Sequence, residues 1–216
     1  MLQVWGRRSS FNVQKVMWLI SELNLPHQHI PAGGDFGLKD SPEFLAMNPH
    51  GRVPVIRDSD GTVVWESHSI LRYLAARYGG AELWSDDPIR RSQIDSWMDW
   101  AQTSLQPAFL TGVFWGFYRT PEALRDLVSI ERDVNLCARY FRLLDHVLSK
   151  QDFLAGQHLT LADIPAGTHL YRYFNLDIAR PHLPHVEAWY QRLQGSAAFR
   201  EHVMLPFEEL FGRLDY

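Results

Sequence analysis

The chain has 216 residues, enough for one large domain or two modest ones with a substantial core. Its 46% apolar and 21% charged content is that of a folded globular protein, and a net charge of −4 without a basic block argues against nucleic acid. No stretch reaches the ~20 apolar residues of a membrane helix, no signal-peptide pattern opens the chain, and one cysteine excludes an internal disulfide, so a reducing cytoplasm is the expected setting.

LQVWG predicts a first strand, and NVQKVMWLISELNL a helix with Val13, Val16, Met17, Ile20 and Leu23 on one stripe. HQHIPA predicts a second strand, and SPEFLAMNP a short helix opened by Ser-Pro. RVPVIRD and TVVWES form two further strands around the turn Ser59-Asp60-Gly61, and SHSILRYLAARYG a helix ending at Gly79-Gly80. The order is β-α-β-(α)-β-β-α.

After Gly80 strand signals vanish. A long helix is expected from Pro88 to about Gly116, bent near Pro107, and another from Pro121 to Lys150. The second should turn Leu124, Leu127, Val128, Val134, Cys137, Phe141, Leu144 and Leu148 inward. Thr160 and Asp163 read as a capping box with Asp for Glu, with Leu159 and Ile164 as its staple, and HVEAWYQRLQG as a short final helix. The fold class is therefore an α/β half followed by an all-α half.

Three stretches carry chemistry. Pro54 heads an otherwise apolar strand, which suits a strand end left open, since proline donates no ladder hydrogen bond. In RRSSFNVQKV, Ser10 and Asn12 sit at the first strand-to-helix junction. They are either N-caps or donors to an anion held at the helix start, a thiolate included. WESHSI repeats the design: Ser67 either caps its helix, or helps free N–H groups hold a carboxylate while Glu66 meets an amine. Cys137, inside a helical apolar stripe, reads as structural, and no metal site stands out among the histidines.

Together these residues resemble the cytosolic glutathione transferase family over nearly the whole chain. The specific matches are Asn48 to Val55, the Glu66-Ser67 pair and Thr160 to Asp163, and the Ser10-Phe11-Asn12 element is most similar to theta-like and nu-like bacterial members. The resemblance implies a thioredoxin-like domain over 1–80 that binds glutathione, and an all-helical substrate domain over 86–216. It also implies a cis bond before Pro54 that exposes the backbone of Val53 to the cysteinyl part of the tripeptide. Glu66 and Ser67 would hold the γ-glutamyl group; Arg52, with His50 or Lys39, the glycine carboxylate; and Ser10 or Asn12 the thiolate.

The electrophile would meet a wall from FLTGVFWGFYRTP, with Phe114, Trp115, Tyr118 and Arg119, and with Arg7 opposite. Arg7 and Arg119 would favour a carboxylate-bearing substrate; halogenated electrophiles suit the same chemistry. Glutathione serves as co-substrate and no metal is called for. A homodimer along the helix from Pro88, with Asp95 and Asp99 at the interface, is implied as well. Two other functions remain open at this point: glutathione-dependent disulfide or peroxide reduction, and a non-catalytic binding module of the same fold.

Overall fold

In the computed structural model, which describes residues 1–214 and leaves Asp215 and Tyr216 outside the description, the first eighty residues build a four-stranded sheet. Its strands are β1 (Leu2–Trp5), β2 (His27–Ile30), β3 (Val55–Arg57) and β4 (Val63–Trp65), in the order β2-β1-β3-β4. β1 runs parallel to β2 and antiparallel to β3, with Val4 opposite Ile56; β3 and β4 form the hairpin. Helices α1 (Phe11–Glu22), α2 (Pro42–Met47) and α3 (Ser67–Tyr78) complete this thioredoxin-like half.

α1 is apolar around most of its circumference because it is covered on both sides. Val13, Val16, Trp18, Leu19 and Ile20 are wholly buried, and Trp18 packs edge-on against Phe199 of the helical half at 4.8 Å. One core therefore runs through both halves, with α1 at its centre.

The helical half opens with α4 (Pro88–Trp100), which continues through Ala101–Leu105 and Pro107–Arg119 in wider turns, closed by a bond from Thr120 N back to Trp115 O at 2.9 Å. The helix expected from Pro88 is thus present but longer, and its second part is π-helical. α5 (Leu127–Leu148), α6 (Asp163–Gly167), α7 (Leu170–Asn175), α8 (Pro184–Gln194) and α9 (Ala197–His202) follow. α8 is not the final helix, since Ser196 caps a further one by accepting from Phe199 N.

The start of α5 also departs from expectation. Leu124, Leu127 and Val128 are 70%, 71% and 80% exposed instead of inward. Asp126 accepts from Ser129 N and begins the helix six residues late, so the inward stripe starts later, with Val134 packed against the core and Cys137, Phe141, Leu144 and Leu148 within it. Cys137 is 1% exposed, and burial pushes its thiol up to about 12, beyond any use as a nucleophile.

Asp163 fastens the segment before α6. Its carboxylate accepts from Thr160 N (2.9 Å), Thr160 Oγ1 (3.2 Å) and Leu154 N (2.8 Å), and Thr160 Oγ1 accepts from Ala162 N (3.2 Å); the Thr160–Asp163 pair is thus joined as expected, although α6 itself begins only at Asp163. The two halves are further tied by Arg72 on α3, which donates to Asp95 (2.7 Å) and Asp99 (2.6 Å) on α4. Both aspartates are thus engaged within their own chain.

Candidate active site

The Val53–Pro54 peptide is cis, and β3 starts only at Val55. Among the described residues Val53 N–H and C=O have no backbone partner. The approach to Val53 is shaped by Asn48, which is buried, donates to Arg52 O at 2.7 Å and accepts from His50 N at 3.0 Å. That pair of bonds turns the 48–52 loop and leaves the side chains of His50 and Arg52 exposed.

Neither junction serine serves as a helix cap. Ser10 is the N-cap residue of α1, with Gln14 N bonding its carbonyl at 2.9 Å, but its hydroxyl makes no capping bond. At the second junction Glu66, with φ of 68°, takes the cap position and Ser67 is the first helical residue; again no side chain caps. The capping explanation therefore fails at both sites. Asn12 adds a buried Oδ1 with no hydrogen-bond partner among the described residues, and the residue lines a cavity.

That cavity encloses about 560 Å³ between the sheet half and the long helix. It brings together Ser10, Asn12, Lys39, Arg52 and Val53 with Arg7, Phe114, Trp115 and Arg119. His50, Pro54, Glu66, Ser67 and Tyr118 are not part of its lining. His50 rests instead against Trp65, with ring centroids 5.4 Å apart. Tyr118, expected in the wall, stacks on Phe114 at 5.3 Å and packs against Phe207 and Phe211. Phe114 and Trp115 take the wall positions on the π-helical stretch Pro107–Arg119.

The lining carries five cationic side chains, Arg7, Lys39, Arg52, Arg119 and Arg172, and no carboxylate among the described residues. A space lined this way favours anions. Arg119 is 3% exposed, lies 4.0 Å over the Trp115 ring and donates from Nε to Arg213 O at 2.8 Å, which draws the C-terminal segment along the cavity rim. Arg213 in turn pairs with Asp35 of the sheet half at 3.4 Å. Gly33 opposite leaves room for Arg7; a Cβ there would stand 3.2 Å from Nη1, and its φ of 78° already favours glycine.

Arg172 escaped the sequence analysis. It donates to Ser9 O at 2.7 Å and lies 4.6 Å over Phe114, joining α7 to the loop before α1. Its one signal was an arginine in the aromatic run LYRYF. Lys15 was missed too. It is fully buried, with Nζ 2.6 Å from Gln106 Oε1 and 3.3 Å from His68 Nε2.

Comparison with known proteins decides the family. The glutathione S-transferase N-terminal domain model matches residues 9–77 and the C-terminal domain model residues 108–196. Glutathione S-transferase GstB of Escherichia coli is 41% identical over 95% of this chain and 99% of its own. This chain belongs to the glutathione S-transferase family. A theta class transferase from Xanthomonas axonopodis pv. citri, solved with glutathione bound, superposes on the transferase with a TM-score of 0.89 at 39% identity, covering 95% of this chain and 98% of that one. Glutathione S-transferase F10 of Arabidopsis thaliana is 31% identical over 76% of this transferase and 79% of its own length.

Proposed function

We propose that the cleft binds glutathione, holds its sulfur as a thiolate, and presents it to a small electrophile, halogenated or carboxylate-bearing. The observation that carries this reading is the pair at the start of α1: a hydroxyl that does not cap its helix and, two residues on, an amide whose NH2 can donate, both residues lining one cationic cavity. The backbone of Val53 would pair with the cysteinyl unit as an added strand does. Arg52 and Lys39, with His50 nearby, would take the glycine carboxylate; Glu66 and Ser67, beyond the cavity at the start of α3, would take the γ-glutamyl group. Residues 1–80 would thus supply the tripeptide site and residues 86–216 the electrophile side.

A thiol with a pKa near ~8.5 is mostly protonated at neutrality, and only its anion attacks. Lowering that value by two units requires about 2.7 kcal/mol, within reach of one or two charge-assisted hydrogen bonds at a helix N-terminus. The thiol proton leaves to solvent, a sulfur lone pair forms the S–C bond, and the halide departs with the electrons of the C–X bond. Phe114 and Trp115 would seat the carbon skeleton, and Arg7 and Arg119 a carboxylate. The reading includes a cytoplasmic homodimer formed along α4, where Ile89 is 72% exposed. Light scattering checks that part, and an active monomer would remove it.

Ultraviolet titration of bound glutathione tests the central step. In the wild type the thiol should ionise below neutrality, and Ser10→Ala or Asn12→Ala should return it by one to two units, about 10- to 100-fold in thiolate at a given pH. Saturable binding with an unshifted wild-type thiol would sink the transferase mechanism and favour a binding module.

A further inference from the structure

A buried cluster beneath the cavity has no part in the mechanism above. Lys15, one turn beyond Phe11 on α1, is 0% exposed. Its ammonium donates to Gln106 Oε1 of the helical half at 2.6 Å and meets His68 Nε2 of α3 at 3.3 Å. It also stands 5.0 Å from the Phe11 ring centroid. That ring, between Ser10 and Asn12 in the chain, is held edge-on by His169 at 4.5 Å and faces Arg172 at 5.7 Å. His68 follows Ser67 and Glu66 directly. One side chain thus touches the helix that presents the thiol-binding pair, the helix that presents Glu66 and Ser67, and the opposite half of the molecule.

We propose that Lys15 is a positioning residue for the thiol site, an internal cation that locks the starts of α1 and α3 to each other and keeps the field at Ser10 and Asn12 favourable to an anion. This rests on the glutathione reading.

The groups facing Lys15 fit the role. Glu66, at the N-cap of α3, is a carboxylate whose charge acts on it. His68 and His169 stay neutral: burial first, then the charge of Lys15, holds them down to about 2 and about 3, so His68 can accept a hydrogen bond from the ammonium. Arg72 on α3 is committed to Asp95 and Asp99, and Arg172 on α7 reaches Ser9. Burying a charge is costly unless it is hydrogen-bonded, as Lys15 is to Gln106 and His68. Burial lowers Lys15 to about 7, against the opposing pull of Glu66. A thiolate formed nearby raises it again, by as much as Lys15 lowers the thiol, because such coupling is reciprocal.

The test is the thiolate titration of bound glutathione, with kcat/KM against pH, in the full-length wild type, Lys15→Gln, Lys15→Arg and Gln106→Leu. Lys15→Gln keeps hydrogen-bonding capacity and loses the charge; the bound thiol pKa should rise by about one unit, roughly tenfold less thiolate at neutral pH. Lys15→Arg should return it toward the wild-type value. Gln106→Leu leaves the lysine in place without its second partner and should move the thiol the same way by a smaller amount, which keeps the inference open to refutation should Lys15→Gln not fold. A thiol pKa and pH profile matching the wild type in folded Lys15→Gln, or in Gln106→Leu where that variant alone folds, overturns the inference. An unshifted thiol in the wild type is a different result, since it removes the glutathione mechanism itself.

Discussion

Lys15 makes a second, independent claim at the level of one side chain. An unfolded lysine titrates near its ordinary value of ~10.4, whereas burial brings the folded one to about 7. Between those values the unfolded chain binds more protons than the folded chain, so this group makes stability rise with pH from about 7 toward 10. Below 7 both states carry the charge and its burial cost is fully present. Thermal denaturation followed from pH 6 to 10 should show that rise in the wild type, and Lys15→Met should flatten it. Parallel curves would mean that the lysine is charged in the fold at all these values. Nothing in the sequence marked Lys15, because a lysine at one position of a helix is normally a solvated one. The helix that buries it, α1, did read as amphipathic, but its second covered face became visible only when α9 and Trp18 were seen to meet.

Among the elements, Asp163 is the clearest case of a sequence pattern that carried its structure with it. Its carboxylate is wholly buried; burial pushes it up to about 6, against the three hydrogen bonds from Leu154 and Thr160 that hold it down. Asp163→Ala would leave three buried donors unpaired, at about 1–3 kcal/mol each, partly offset by the burial cost of the removed charge. A net loss of about 3 kcal/mol, or roughly 10 °C in Tm for a chain of this size, should appear by calorimetry. Asp163→Asn, which keeps an acceptor oxygen, should lose less; equal losses would argue that the charge matters more than the cap. By contrast, the start of α5 was misread because Leu124, Leu127 and Val128 have helical spacing without a helix to place them. Pro121 and Asp126 delay the first turn, and a cap outranks periodicity at an element's end. The widened turns of Ala101–Leu105 and Pro107–Arg119 had no local signature at all beyond Pro107, and they decide which of the aromatics at 114, 115 and 118 meet the cavity.

Taken as a whole, the molecule is an acidic protein with a cationic cleft. The net charge is −4, yet five cations and no carboxylate among the described residues line the cavity. The sequence disclosed Arg7, Lys39, Arg52 and Arg119 singly; their convergence with Arg172 depends on segments far apart in the chain meeting across the cleft, which no local pattern encodes. A cleft of one sign with low-dielectric walls concentrates small anions, and the effect weakens as the screening length falls from about 10 Å at 0.1 M salt toward 3 Å at 1 M. At saturating glutathione, raising ionic strength from about 0.02 M to about 0.5 M should therefore increase KM for a haloacetate roughly three- to tenfold. KM for a neutral halonitroarene should change less than about twofold, because only its apolar contacts with Phe114 and Trp115 hold it. Steady-state kinetics with both substrates separates the cases. If the two respond alike to salt, the arginines serve the fold and the C-terminal segment, as Arg119 does through Arg213, and the electrophile is not an anion. If only the haloacetate responds, substrate preference is written in the charge of the cleft, and the shape of its aromatic wall is secondary.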